Sequence, residues 1–126
     1  MNQVSSEAVA HSKNLNFEFS NTLRGQKINL NSYSSYTFII DVDGKVYQCA
    51  TASEESASII IIGGIDKFVN EKAKRMAVNY FLTEQQKVTL YKILKEAAIY
   101  SEDAVISSSN ESLNLSLSAL YSNYCG

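Results

Sequence analysis

The most informative segment of this 126-residue chain is Ser58-Ile59-Ile60-Ile61-Ile62, which is followed by Gly63-Gly64. A β-branched run that is apolar at every position is typical of a strand covered on both faces, at the centre of a sheet. Helices are therefore expected to pack on it, and we interpret the two glycines as the turn that ends the strand. The run is far too short to cross a bilayer, which takes about 20 apolar residues.

A β-hairpin is predicted just before this strand. Residues Thr37–Val42 and Lys45–Gln48 flank Asp43-Gly44, a dipeptide that favours a tight turn between two strands. Further upstream, the apolar residues Leu15, Phe17 and Phe19 alternate with polar ones, which predicts a half-buried strand. Ile28 and Leu30 alternate in the same way, so a second strand is predicted there, with Arg24-Gly25 as the turn between the two.

The second half of the chain carries one clear helix signal. Thr83 and Gln86 form a capping-box pattern, and the apolar positions from Leu90 to Ala97 repeat at helical spacing, which predicts a helix from about Glu84 to Ala98. Ala104-Val105-Ile106 is predicted to be a short strand. The segment Leu113–Leu117 is either an edge strand or an irregular apolar cover. Lys72, Lys74 and Arg75, in a weaker segment over Asn70–Val78, are interpreted as surface charge.

These elements predict a single α/β domain over residues 1–126, with a mixed central β-sheet flanked by helices. The formal net charge is −2, which gives no electrostatic reason to expect a nucleic-acid partner. His11 is the only histidine, and Cys49 and Cys125 are the only cysteines, so a His-rich zinc site cannot be built. The amino terminus lacks a basic start and an apolar core, so no secretory signal is predicted, and a cytoplasmic protein with free thiols is expected.

Five blocks of the chain share order and spacing with a known family. They are Tyr36-Thr37-Phe38-Ile39-Ile40, Asp43-Gly44-Lys45-Val46, the isoleucine run into Gly63-Gly64-Ile65-Asp66, Asn79-Tyr80-Phe81-Leu82-Thr83-Glu84-Gln85-Gln86, and Ala104-Val105-Ile106. Over about residues 36–110 the chain resembles the type 2 N-acetylmuramoyl-L-alanine amidases, which include short phage lysozymes of the amidase kind and the peptidoglycan recognition proteins. The resemblance implies an amidase-like fold with a groove over a mixed sheet.

The resemblance also implies where a catalytic zinc site would lie. In that family two histidines and a cysteine or acidic residue hold zinc, whose bound water attacks the amide, and a tyrosine assists. The tyrosine is kept as Tyr36, but Thr37 follows it in place of histidine. The later histidine position falls at Ser109, and the charge-stabilising and cysteine positions fall near Leu115 and Leu117. His11 is a candidate remnant of the first ligand. We therefore expect no zinc and no other cofactor.

The expected function is that of a pseudoenzyme, an amidase-like protein that acts by binding or inhibiting a partner. A phage or mobile-element accessory protein is the expected type. Tyrosine gives large contact surfaces at little entropic cost and is enriched at interfaces. A protein partner is the first expectation. The alternatives are a protein that sequesters a muropeptide or signalling nucleotide, and a residual peptidoglycan amidase. The predicted contact residues are Tyr33, Tyr36, Thr37, Tyr47 and Ser109.

Overall fold

A computed structural model describes residues 1–23, 27–65, 82–100 and 103–108, and Leu117. Its six strands form one mixed sheet, which confirms the α/β class, in the spatial order β1-β4-β3-β5-β2-β6. The strands are β1 (Asn2–Val4), β2 (Asn14–Leu23), β3 (Phe38–Ile40), β4 (Val46–Gln48), β5 (Ser56–Ile65) and β6 (Val105–Ser108). The predicted turn at Arg24-Gly25 and the segment Asn70–Val78, with its three basic residues, lie outside these ranges.

The isoleucine run lies at the centre of the sheet, as predicted. Strand β5 pairs in parallel with β2 along its whole length: Ser56 lies opposite Asn14 at one end, and Ile65 lies opposite Leu23 at the other. On its other side β5 pairs in parallel with β3. Ile59 to Ile62 are all buried, because alternate side chains enter two separate apolar clusters on the two faces.

Gly63-Gly64 is not a turn, contrary to the prediction from the sequence. Strand β5 continues through both glycines to Ile65, and Gly63 pairs with Asn21 of β2. The physical reason is a close approach between neighbouring strands: a Cβ at position 63 would lie 1.9 Å from Cζ of Phe19. The first glycine therefore makes room for an aromatic ring within the strand.

The predicted hairpin is confirmed. Strands β3 and β4 pair antiparallel, and the Asp41 amide donates to the Lys45 carbonyl across a three-residue loop. The Gly44 amide donates to the Asp41 carbonyl, and Gly44 has a φ of 82°, in the left-handed region. This is the three-residue loop in which a type I turn is followed by a left-handed residue, so it is one residue longer than the tightest turns.

The helix predicted after Thr83 is confirmed as α1 (Glu84–Tyr100). The Gln86 amide donates to the Thr83 hydroxyl, while the Gln86 side-chain oxygen accepts from the Thr83 amide, which completes the capping box. Helix α1 covers one face of the sheet together with a short 3-10 helix (Ser6–His11). Leu117 is buried in the same core, with 1% of its surface exposed, but it is helical, so at that position neither the edge strand nor the irregular cover is found. Leu113 and Leu115 lie outside the described residues.

The Gln86 side chain ties three elements together. It is fully buried, and its amide nitrogen donates to the carbonyls of Asp41, at the start of the hairpin loop, and of Ile62 in β5. A buried amide needs partners for its polar atoms, and here both the nitrogen and the oxygen have them. The helix start, the hairpin and the central strand are therefore fixed relative to one another by one side chain.

The strand predicted around Ile28 and Leu30 is wrong. Residues Leu30–Tyr33 form a second 3-10 helix, and the Asn29 side chain accepts a hydrogen bond from the Asn31 amide at its start. Ile28 and Leu30 still pack on the sheet, against the cluster of Ile39, Ile60 and Ile62. The alternation correctly indicated which side chains are buried, but the local hydrogen bond of the Asn29 side chain favours a turn over an extended strand.

Within the described part of the chain, no helix is both long and apolar enough to span a membrane.

Candidate functional site

The sheet face opposite α1 carries the aromatic residues that the sequence analysis singled out. Tyr33, Tyr36 and Tyr47 pack around the buried isoleucines of that face, and each remains partly exposed. They come from the second 3-10 helix, the segment before β3, and β4. We call this surface, with Thr37 and Glu18, the tyrosine face. Ser109, the fifth predicted contact residue, lies outside the described residues.

Tyr36 is held by a carboxylate. Its hydroxyl donates to Oε2 of Glu18 in β2, with the oxygens 2.5 Å apart. This hydrogen bond, followed by partial burial and the nearby charge of Glu18, raises the pKa of Tyr36 to about 12. The phenol is therefore neutral at physiological pH, and it acts as a fixed hydrogen-bond donor rather than as a base.

Tyr33 is held in a similar way. Its hydroxyl and that of Ser20, also in β2, form a hydrogen bond with the oxygens 2.6 Å apart. The rings of Tyr33 and Tyr36 are tilted by 50°, with centroids 6.5 Å apart, which is within the range of favourable aromatic pairs. Two neighbouring aromatic rings thus have their hydroxyl groups oriented by the same strand before any partner arrives.

Thr37 has a structural role in this arrangement. Its amide donates to the carbonyl of Ser58, at 2.9 Å, and to the Ser58 hydroxyl, at 3.1 Å, while the Ser58 amide donates to the Thr37 hydroxyl. These bonds extend the pairing of β3 with β5 beyond Phe38. The hydroxyl that stands where the resemblance implies a histidine is therefore engaged between strands.

Cys49 follows β4 and contacts the same isoleucine cluster as the tyrosines. It is a free thiol, and burial raises its pKa, which favours the uncharged form that is a poor nucleophile and a poor metal ligand. Cys125, the other cysteine, lies outside the described residues.

His11 lies apart from the tyrosine face. It is the last residue of the first 3-10 helix, is exposed, and stacks on Tyr100 at the end of α1, with ring centroids 4.7 Å apart. It therefore lies on the helix side of the sheet. The strand residue that meets Tyr36 is instead Glu18, which the sequence analysis did not select. A signal was present, because Glu18 is the one charged residue among the polar positions of the alternating strand.

The described residues do not fit the zinc site that the amidase resemblance implies. Among residues 1–23, 27–65, 82–100 and 103–108, no three side chains of His, Cys, Asp or Glu lie close enough together to hold a metal ion. Leu117, at the position of the cysteine ligand, is buried in the core under α1. The positions of Ser109 and Leu115 are outside the described part of the chain.

The arrangement on the tyrosine face is suited to binding. It offers two aromatic rings with fixed hydroxyls, a third ring, and a carboxylate with capacity to accept further hydrogen bonds.

Comparisons with protein-family models, with curated proteins and with solved structures found no match for this chain. The amidase-like identity remains a prediction from the sequence blocks, and the geometry of the tyrosine face is what supports a function.

Proposed function

We propose that this chain is a non-catalytic, amidase-like binding protein whose tyrosine face contacts a protein partner. One observation carries the proposal. Three partly exposed tyrosines from separate segments converge on one sheet face, and two of them have hydroxyls held by hydrogen bonds to β2. Aromatic residues of this kind supply most of the binding energy at many protein interfaces.

Pre-organisation strengthens this proposal. Binding normally costs about 0.5–1.5 kcal/mol for each rotamer-rich side chain that becomes ordered. Tyr33 and Tyr36 are already ordered by Ser20 and Glu18, so part of that cost is met when the chain folds. Rings that are held in place on a sheet face supply the large aromatic contact area that is enriched at protein interfaces.

The proposal is tested by affinity capture from lysate of the native host with four baits. These are the wild-type chain, the Tyr36→Ala and Tyr47→Ala variants, and the control Ile99→Ala. Ile99 is 70% exposed on α1, on the other side of the sheet. The expected result is that one protein from the lysate is captured in a fixed molar ratio by the wild type and by the control. Its affinity for each tyrosine variant should fall about 30-fold, the effect of losing roughly 2 kcal/mol at a hot spot.

Circular dichroism of all four baits separates loss of binding from loss of fold. A captured protein that binds the tyrosine variants as tightly as the wild type would overturn the assignment of the face. Release of muropeptides from peptidoglycan by the zinc-supplemented protein, abolished by Tyr36→Phe, would overturn the non-catalytic reading. A co-purified small molecule displaced by Tyr36→Ala would favour the sequestering alternative.

A further inference from the structure

A second candidate site lies at the other end of β2 and does not depend on the tyrosine face. It is an open depression in the surface, about 370 Å³ in volume, which we call the cavity; the exposed residues His11, Lys13, Glu54, Glu55 and Tyr100 line it. Cavities of roughly 300–1,000 Å³ are the usual size of small-ligand sites. The cavity is bounded by the first 3-10 helix, the start of β2, the loop before β5 and the end of α1.

The walls of this cavity are fixed to one another. The Lys13 and Asn14 amides each donate to the loop before β5, to the carbonyls of Glu54 and Glu55, at 2.9 Å. The buried Ser12 hydroxyl donates to the Ser53 carbonyl of the same loop. The loop that carries both carboxylates is therefore attached to the strand before any ligand binds, which lowers the entropic cost of binding.

One wall is aromatic. The His11 and Tyr100 rings stack with an interplanar angle of 26° and centroids 4.7 Å apart, and Tyr100 is still 58% exposed. The face of a tyrosine ring attracts cations, and a planar guanidinium can stack on it as well. The exposed part of this stack therefore offers a surface for a flat cationic group.

The charge at the cavity favours a cation. Two glutamates and one lysine line it, and within the described residues neither Glu54 nor Glu55 forms an ion pair with Lys13 or any other cation. Tyr100 is also the last residue of α1, whose last turn contains no basic side chain. The negative end of the helix dipole thus adds to the two carboxylates.

We propose that this cavity binds a guanidinium group, the head of an arginine side chain. Guanidinium is the one cationic side-chain group that combines three properties: it is planar, it stacks on an aromatic ring, and it binds a carboxylate through two parallel hydrogen bonds. Glu54 and Glu55 supply the carboxylates, and Tyr100, backed by His11, supplies the ring. An ammonium group would also be attracted by the charge and by the ring face, but it cannot stack on the ring as a plane or bind a carboxylate through two parallel hydrogen bonds.

The test is a titration of ¹⁵N-labelled protein, followed by amide chemical shifts, with N-acetyl-arginine methylamide and its citrulline counterpart. Citrulline has the same shape but carries no charge. The expected result is saturable shifts at His11, Lys13, Glu55 and Tyr100, with an affinity for the arginine compound at least about 10-fold higher than for the citrulline compound. Equal binding of both compounds, or no saturable shift at these residues up to about 50 mM, would overturn the proposal.

Variants locate the site. Glu54→Gln combined with Glu55→Gln should weaken binding about 10-fold or more, and Tyr100→Leu should weaken it several-fold. Glu7→Gln is the matched control, because Glu7 is exposed on the first 3-10 helix and does not line the cavity. Equal loss in the control and in the double variant would mean that overall charge, not this cavity, attracts the ligand, and the proposal would fail.

Two further titrations identify the source of the guanidinium. Free L-arginine carries its own ammonium and carboxylate, whereas the peptide Gly-Gly-Arg-Gly-Gly presents only the side chain. Tighter binding of free arginine assigns the cavity to the amino acid, and equal or tighter binding of the peptide assigns it to an arginine of a polypeptide. Both results support guanidinium recognition, since the citrulline comparison decides that point separately.

Discussion

Replacing Gln86 with methionine should destabilise the fold by about 4–5 kcal/mol. The Gln86 side chain is fully buried and forms three hydrogen bonds: to the Ile62 carbonyl at 2.6 Å, to the Asp41 carbonyl at 3.0 Å and from the Thr83 amide at 3.1 Å. Methionine has a similar length and volume, so the cavity that it leaves is small. Each lost bond costs about 1 kcal/mol, and burying an Ile62 carbonyl without this donor adds about 1–2 kcal/mol.

The free energy of unfolding is measured by urea unfolding, followed by far-ultraviolet circular dichroism at pH 7. The dependence of that free energy on urea concentration is compared between variants, because an unchanged slope shows that only stability has changed. Gln85→Met is the matched control, because Gln85 is the exposed neighbour of Gln86 in the same helical turn. The control should change the free energy of unfolding by less than about 0.5 kcal/mol. The reasoning would be refuted if Gln86→Met lost less than about 1 kcal/mol, or no more than the control.

Three further predictions concern single residues. Gly44→Ala should cost about 1–3 kcal/mol in urea unfolding, because φ is 82° there and a Cβ would lie 2.7 Å from the Gln85 carbonyl oxygen; no measurable loss would contradict this. Gly63→Ala should cost about 1–3 kcal/mol, and much less in a Phe19→Leu background, whereas additive losses would exclude the ring contact. The pKa of Tyr36 is raised from 10.0 to about 12, so the stability that this shift supplies is complete below pH 10 and is lost as the pH rises towards 12. The free energy of unfolding should fall more steeply over that range in the wild type than in Tyr36→Phe, and identical slopes would argue against the Glu18 hydrogen bond.

Periodicity in the sequence predicted most of the sheet, because the spacing of apolar residues along a strand follows directly from which of its faces are buried. The isoleucine run, the alternation from Leu15 to Phe19 and the hairpin around Asp43-Gly44 all correspond to strands in the structure. The capping box at Thr83 placed the start of α1 correctly, since its two hydrogen bonds depend only on residues three apart.

Where the predictions were wrong, the deciding contact came from a distant residue in one case and from a local side-chain hydrogen bond in another. The local sequence around Gly63 predicts a turn. Only the Phe19 ring of the neighbouring strand, which leaves no room for a Cβ, explains a glycine within β5. Ile28 and Leu30 are apolar for the predicted reason, but they cover the sheet from the segment before a 3-10 helix and from its first residue, where the Asn29 side chain bonds the Asn31 amide. The partnership of Tyr36 with Glu18 joins residues 18 positions apart, so no local pattern marks it. The Tyr33, Tyr36 and Tyr47 cluster was nevertheless predicted, because all three flank the hairpin.

The position of β5 in the chain has a consequence for how the protein folds. Both of its strand partners, β2 and β3, are synthesised before it, whereas α1, which covers one of its faces, is synthesised after it. The pairing of β2 with β5 joins positions as far apart as 14 and 56, and parallel pairing over such separations forms slowly compared with a local hairpin. An uncovered isoleucine strand is prone to aggregate during that interval. The isoleucine strand is therefore expected to be most exposed to aggregation between its synthesis and the docking of α1 on its face.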